Sequence, residues 1–273
     1  MRRALVIGMF LFAASRGAAQ ASLGAGITVG SARLADARTE RVVSGVIQLQ
    51  PRPWLSLSAM PAMLHVSDSV GGSTSGVGDL PLVAAATANL PTRWSPTLGG
   101  ALIVALPTGS VACGLGNGTT TAGVDIGVGV APTAGLRFSA GATRSLSGLA
   151  GQSSLSPPRA TTLQLEGAAD VASGWTVGLS VGADVGTADS TQALSRTAGA
   201  GLTHILHGAL AVTVDASHGL TAASPRWVVS VGLGTVFSGI SPVSPTSPLR
   251  RLKSSFGSAA GRSRGSNKIG ACG

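Results

Sequence analysis

Most of the chain consists of segments in which apolar residues alternate with small or polar ones. Between Trp175 and Gly186, for example, Trp, Val, Leu and Ala alternate with Thr, Gly, Ser and Asp. Successive side chains of a β-strand point to opposite faces, so this period of two predicts strands with one apolar and one polar face. The pattern predicts about twelve strands, at 22–34, 41–50, 54–66, 77–90, 96–106, 122–131, 135–145, 160–171, 174–186, 196–206, 208–218 and 227–237.

The lengths of these segments and of their connections favour a membrane barrel over a soluble sheet. Strands of soluble sheets usually have about five or six residues, whereas a tilted strand needs about 9–11 to cross a bilayer. Short connections are predicted at 51–53, 91–95, 132–134, 172–173 and 207, and they alternate with longer ones at 35–40, 67–76, 107–121, 146–159, 187–195 and 219–226. This alternation is typical of outer-membrane barrels. We therefore predict an all-β fold, a transmembrane antiparallel up-and-down β-barrel, over residues 22–237.

Composition excludes most other classes of protein. Charged residues make up only 11% of the chain, which is too few for a disordered protein. No apolar run beyond the N-terminus is long enough for a membrane-spanning helix, which needs about 20 residues. The net charge of +9 resides in the two ends of the chain, because ten Arg and ten Asp or Glu balance between them. The body has no basic groove interleaved with aromatic residues, so no nucleic-acid partner is predicted.

The first 21 residues predict a signal peptide. Arg2 and Arg3 form a positive start, residues 4–14 form an apolar core too short to span a membrane, and Ala19-Gln20-Ala21 offers a cleavage site. We expect the mature protein to begin at Ser22 or within a few residues of it, in the outer membrane. N-terminal sequencing of outer-membrane material checks this, and retention of Met1 would contradict it.

The C-terminal segment differs from the body. Residues 238–273 are rich in Ser, Gly and Pro, lack alternation, and are predicted to form a disordered basic tail after a last strand that ends near Phe237. The basic residues of the tail are Arg250, Arg251, Lys253, Arg262, Arg264 and Lys268.

The two faces of the predicted strands have different surroundings. In lipid every backbone polar group must be paired internally, so strands can span only as a closed barrel. We expect the Val, Leu, Ile and Ala face to contact outer-membrane lipid and the Gly, Ser, Thr and Asp face to line the lumen. Alternation predicts a lumen-facing polar set: Asp79, Asp125, Arg137, Glu166, Asp170, Asp184 and Asp215. Such acids either select cations or pair with Arg in a filled, narrow barrel.

Two motifs resemble those of the bacterial "transporter" family named for the MetA pathway of phenol degradation, a group of outer-membrane barrels. The segment Gly76-Val77-Gly78-Asp79-Leu80 is similar to the family's G-x-G-D-L motif at the start of a strand. The segment Leu106-Pro107-Thr108-Gly109 is similar to its L-P-T-G motif at the top of the next strand, before a Gly-rich loop. The resemblance implies passage of small compounds, including hydrophobic or aromatic ones, and no catalytic residue.

Other functional interpretations have weaker support in the sequence. The glycines of 114–118 do not open a helix after a strand, so a nucleotide-binding loop is not predicted. His207 could be combined with Asp215 or Asp184 into a hydrolytic site, but no motif selects a serine. His204 and His207 flank a turn, so no metal site is predicted, and no cofactor. Two cysteines, Cys113 and Cys272, are too few for a disulfide framework.

The sequence therefore predicts a passive outer-membrane channel for small solutes, delivered by the barrel-assembly machinery. Two alternatives stay open: a structural barrel without an open pore, and a barrel enzyme that hydrolyses lipid or peptide.

Overall fold

The computed structural model describes residues 21–34, 37–68, 72–146, 161–185, 194–206 and 210–235. Fourteen strands are formed: β1 Ser22–Arg33, β2 Thr39–Arg52, β3 Leu55–Ala59, β4 Ala62–Ser67, β5 Ser73–Val77, β6 Leu80–Asn89, β7 Thr97–Leu106, β8 Thr121–Thr133, β9 Leu136–Leu146, β10 Thr161–Ala172, β11 Trp175–Val185, β12 Arg196–Ile205, β13 Leu210–Gly219 and β14 Trp227–Thr235. The described part of the chain contains no helix long and apolar enough to cross a membrane.

These segments form one closed, antiparallel barrel whose wall is twelve strands around. The first and last strands pair from Gly26 opposite Gly234 to Arg33 opposite Trp227, which closes the sheet. Two wall strands are each made of two segments. The strand β2 pairs with both β3 and β4, and β5 and β6 pair with β4 and β3 respectively.

The two interruptions keep the wall hydrogen-bonded. Pro61 has no N–H to donate, but its carbonyl accepts a bond of 2.9 Å from the Gly45 N–H. Met60 N–H donates to the Pro81 carbonyl at 3.0 Å, and Gly78 N–H donates to the Ala62 carbonyl at 2.9 Å. Paired backbone groups are what a wall surrounded by hydrocarbon requires.

The fold agrees with the sequence prediction, and the connection lengths alternate as predicted from β7 to β14, but the connection 90–96 is longer than 34–38 and 68–72. The wall turns tightly at 53–54, 134–135 and 173–174, where Gly174 has a φ of +74° that favours glycine. One boundary was wrong, because β5 lies in the segment 67–76 that was predicted as a loop. Its residues Ser73, Thr74 and Ser75 are polar on both faces, so no alternation marks them. The predicted signal peptide, Phe237 and the tail lie outside the described residues.

The outer surface carries an apolar band. Large apolar side chains that are exposed in the isolated chain occupy alternate positions on nearly every strand, and they include Leu23, Ile27, Val29, Val43, Ile47, Leu57, Leu82, Leu98, Leu102, Ile126, Leu163, Leu165, Leu179, Val181, Leu202, Val214, Val229, Val231 and Leu233. A soluble protein would not expose an apolar surface of this extent. The described barrel is therefore a transmembrane one, with hydrocarbon against this face.

Tryptophans mark the two ends of this band. Trp54, Trp94 and Trp175 lie at the end with the short turns, and Trp227 lies at the end with the long connections. All four are exposed, and Trp is enriched where membrane meets water. The Trp175 ring also stacks on His204 with ring centroids 4.0 Å apart, so this histidine lies on the outer face.

Candidate functional site: the lumen and its inward-folded loop

Two of the predicted lumen acids lie on one continuous rung of the wall. Asp125, Thr143, Thr162 and Asp184 are directly opposite one another on the four neighbouring strands β8 to β11. Each carboxylate accepts a hydrogen bond from the threonine beside it, Asp125 from Thr143 at 2.8 Å and Asp184 from Thr162 at 2.7 Å. Threonine hydroxyls thus hold both carboxylates against the wall.

A different arrangement holds the one predicted lumen arginine. Arg137 on β9 donates two bonds to Asp170 on β10, of 2.6 and 3.2 Å, and the Thr176 hydroxyl donates to the same carboxylate at 2.6 Å. Both charged side chains are partly exposed, so water screens the ion pair and its contribution to stability is small, about 0.2–1 kcal/mol. The pair cancels one negative charge near the end of the barrel with the short turns.

The remaining lumen acids add charge to the same half of the wall. Glu166 lies opposite Ser139 and Ser180, and Asp215 lies opposite Gly201 and Ser230. Glu166, Asp215 and Asp125 each make further interactions. Along the described strands β8–β13, the polar face therefore carries one Arg and several carboxylates.

Asp79 has a different role from the other acids. It lies in the interruption between β5 and β6, and its carboxylate accepts the Gly109 N–H at 3.1 Å and the Asn117 N–H at 2.9 Å. The Thr108 hydroxyl donates to the Gly78 carbonyl at 2.7 Å. The two family motifs therefore meet in space, with the first motif supplying acceptors to the second and to the glycine-rich segment after it. Together these bonds tie residues 107–120, the connection between β7 and β8, to the wall. We call these residues the constriction loop.

The constriction loop folds against the inner surface of the barrel. Leu115 is only 5% exposed, and a Cβ on Gly76 would come within 2.7 Å of its Cδ1. Gly76 lies on the inner face of β5, as the buried Thr74 does, whereas the exposed Val77 lies on the outer face. The loop therefore narrows the lumen at the end of the barrel with the long connections.

The prediction about cysteine was incomplete. Cys113, in the constriction loop, is disulfide-bonded. The Ser110 hydroxyl donates a hydrogen bond of 3.2 Å to its Sγ atom. Cys272, the other cysteine of the sequence, lies outside the described residues.

The inner side of the wall also holds two apolar clusters, which corrects the prediction that the apolar residues face only lipid. Inward-facing Val42 packs with Ala32, Leu34 and Val228 in one buried cluster, and Met60 packs with Val83 and Ala85 in another. These strands carry apolar residues in adjacent positions, such as Val42 with Val43 and Leu82 with Val83. The inner face therefore carries carboxylates on β8–β13, whereas on β1–β7 the apolar clusters alternate with buried polar side chains such as Thr28, Ser44 and Gln48.

The described histidines lie on the outer face of the wall, where His204 stacks on Trp175 and His218 lies opposite Trp227. His65 is 2.7 Å from the Ser75 hydroxyl, but Arg41 lies directly opposite His65 in the neighbouring strand, so this serine–histidine pair has a cation beside it. His207 lies outside the described residues. Among the described residues no group of three or more His, Cys, Asp or Glu could hold a metal ion.

Comparison with known proteins identifies the fold. No protein-family model and no curated protein matches the chain. Among solved structures, an outer membrane channel from Pseudomonas putida F1 is similar over 79% of this chain and 95% of its own, with a TM-score of 0.57 and 18% identity. The KdgM porin is similar over 79% and 99%, with a TM-score of 0.53 and 10% identity. At these identities the likeness establishes the barrel fold.

Proposed function

We propose that the protein is an outer-membrane channel for the passive uptake of small solutes. The observation that carries the proposal is the combination of an apolar outer band with a closed wall that is lined by carboxylates on one side. The two similar structures are named as a channel and a porin, and this supports a channel over a barrel enzyme.

The polar groups on the inner face support a particular class of solute. The rung from Asp125 to Asp184 offers acceptors to hydroxyl or amino groups. A small solute with a neutral or cationic polar group fits this rung. Solutes that are anionic would be repelled, because carboxylate rings favour cations.

Conductance in planar bilayers tests the channel. We expect discrete currents with cation preference from the purified full-length protein, and we expect Asp184→Asn to lower the cation-to-anion permeability ratio. Thr176→Val serves as the control, because it removes a hydroxyl from the neutralised Arg137–Asp170 pair and leaves the lumen charge unchanged. Absence of current from correctly folded full-length and tail-free protein, or a preference for anions, would contradict the proposal.

A barrel without an open pore is the second candidate, and one observation favours it. Several side chains on the inner face are almost inaccessible, such as Ser44 at 1% and Thr28 at 6% exposed. In a wide, water-filled lumen such side chains would be exposed to water.

A further inference from the structure

The outer surface of the barrel carries polar and cationic side chains at the end with the long connections. Two rungs of outward-facing residues cross the neighbouring strands β14, β1, β2, β4 and β5 there. The rung nearest the long connections consists of Trp227, Arg33, Thr39, Ser67 and Ser73. The next rung toward the middle of the barrel consists of Val229, Ser31, Arg41, His65 and Ser75. We call these two rungs the basic patch.

The two arginines of the patch lie near each other on a face that carries no carboxylate on any described strand. Arg33 is directly opposite Thr39, two residues before Arg41 on β2, and such diagonal neighbours are about 7–8 Å apart, within reach of long side chains. The carboxylates of the described strands all lie on the inner face: Glu40, Asp125, Glu166, Asp170, Asp184 and Asp215. Two like charges at this spacing repel each other, so an anion that contacts both is favourable.

The basic patch lies at the boundary of the apolar outer band. The next rung toward the middle is apolar on all five strands and about half exposed, and it consists of Val231, Val29, Val43, Met63 and Val77. At the opposite edge of the patch lies Trp227, a residue type enriched where membrane meets water. A lipid whose acyl chains cover the apolar rung therefore has its headgroup level with the basic patch.

We propose that the basic patch binds the phosphate group of an anionic lipid in the leaflet at the end of the barrel with the long connections. The planar guanidinium of arginine matches a phosphate with two parallel hydrogen bonds, and Arg33 and Arg41 supply two such groups. Serine and threonine hydroxyls of the patch can donate to the remaining headgroup oxygens. The proposal concerns the lipid side of the wall, so it does not depend on conduction through the lumen.

Another outward arginine at the same end of the barrel has different surroundings. Arg144, on the outer face of β9, lies opposite Val124 and Thr161. Its described neighbours on β8 and β10 include no second arginine, and the outward residues that follow on these strands are the apolar Ile126 and Leu163. The basic patch therefore combines two cations and several hydroxyls that Arg144 lacks, which makes Arg144 a matched control.

Quenching of Trp227 fluorescence by brominated lipids tests the site. Trp54, Trp94 and Trp175 are changed to Phe in the full-length protein, so that Trp227 alone among the tryptophans of the sequence reports. The protein is folded into phosphatidylcholine vesicles that contain a minor fraction of brominated phosphatidylglycerol or of brominated phosphatidylcholine. We expect stronger quenching by phosphatidylglycerol, whose headgroup has a net negative charge. Equal quenching by the two brominated lipids would overturn the proposal.

Substitutions of the arginines assign the preference to the patch. An arginine near an anionic membrane surface changes lipid affinity by a factor of about five, so Arg33→Gln with Arg41→Gln should lower the preference for phosphatidylglycerol about twentyfold. Arg33→Lys with Arg41→Lys keeps the charges and should lower it less, because an ammonium lacks the planar fork. Arg144→Gln should leave the preference at Trp227 unchanged. A fall as large in Arg144→Gln as in Arg41→Gln, or no fall in either double variant, would overturn the site.

Competition with inorganic phosphate distinguishes a lipid site from a site for a free anion. The acyl chains keep a lipid phosphate at the barrel surface, so added inorganic phosphate should reduce the quenching by phosphatidylglycerol no more than sodium chloride of the same ionic strength does. The sodium chloride arm measures the screening of exposed charges by salt. A larger loss with phosphate than with sodium chloride would show a site for the free anion and would overturn the lipid assignment.

Discussion

Val181→Arg is expected to reduce sharply the yield of folded protein in lipid. Val181 lies near the middle of β11 and is half-exposed on the outer face. An arginine on the lipid face at the midplane costs about 2–4 kcal/mol, and each 1.4 kcal/mol is about a tenfold change in an equilibrium constant. We therefore expect the folding equilibrium in lipid vesicles to fall by about thirtyfold or more, measured by denaturant titration with heat-modifiable gel mobility as the readout.

Two controls separate the lipid face from general disruption. Val181→Leu keeps an apolar side chain and should fold like the parent. Gly182→Ser changes the neighbouring inward position, where a Cβ would come within 3.1 Å of the Thr197 hydroxyl, which can rotate away. It should also fold nearly normally. Equal loss of yield from Val181→Arg and Gly182→Ser would contradict the assignment of the two faces.

Asp79→Ala is expected to release the constriction loop while the barrel stays folded. The carboxylate accepts the Gly109 and Asn117 amides, and hydrogen bonds to charged groups contribute about 1.5–3 kcal/mol each. Their loss should lower the protection of these two amides from hydrogen exchange by about a hundredfold or more. The midpoint of barrel unfolding should change much less, because no strand pairing is lost.

Gly116→Ala tests the attachment of the constriction loop to Asp79 by a change in the loop itself. A Cβ there would come within 2.5 Å of an Asp79 oxygen and 2.6 Å of the Gly109 carbonyl oxygen. The backbone atom cannot move as a side chain can, so the loop must shift. Gly129→Ala is the matched control, since its nearest atom would be 3.7 Å away in ordinary contact. Unchanged protection in both Asp79→Ala and Gly116→Ala would show that the anchor does not hold the loop.

Strands and their order could be predicted because alternation and turn residues are local features. The segment Trp175–Val185 alternates along its whole length, and the structure forms β11 there. The segment Ser73–Val77 was missed because its pairing with β4 adds a strand without an apolar face. Alternation reveals strands that have one apolar face against lipid. It does not reveal a strand that is polar on both faces.

The constriction loop could not be predicted because its contacts join distant residues. Asp79 accepts from Asn117 across 38 positions of sequence, and alternation predicted this aspartate only as one more inward-facing acid. The inward apolar clusters did have a sequence signal. Val42 beside Val43, and Leu102 beside Ile103, break the alternation and indicate strands that are apolar on both faces. Their assignment required knowing which strands are neighbours in the barrel.

Site-specific labelling of two adjacent positions on β11 tests the central claim, a barrel with lipid outside and a polar lumen inside. Val181→Cys and Ser180→Cys are each inserted in lipid vesicles and treated with a lipid-restricted probe and a small water-soluble thiol reagent. The structure predicts that position 181 reacts with the lipid-restricted probe and position 180 with the water-soluble reagent alone. Protection of position 181 from the lipid probe, in protein that stays soluble without detergent, would contradict the membrane barrel.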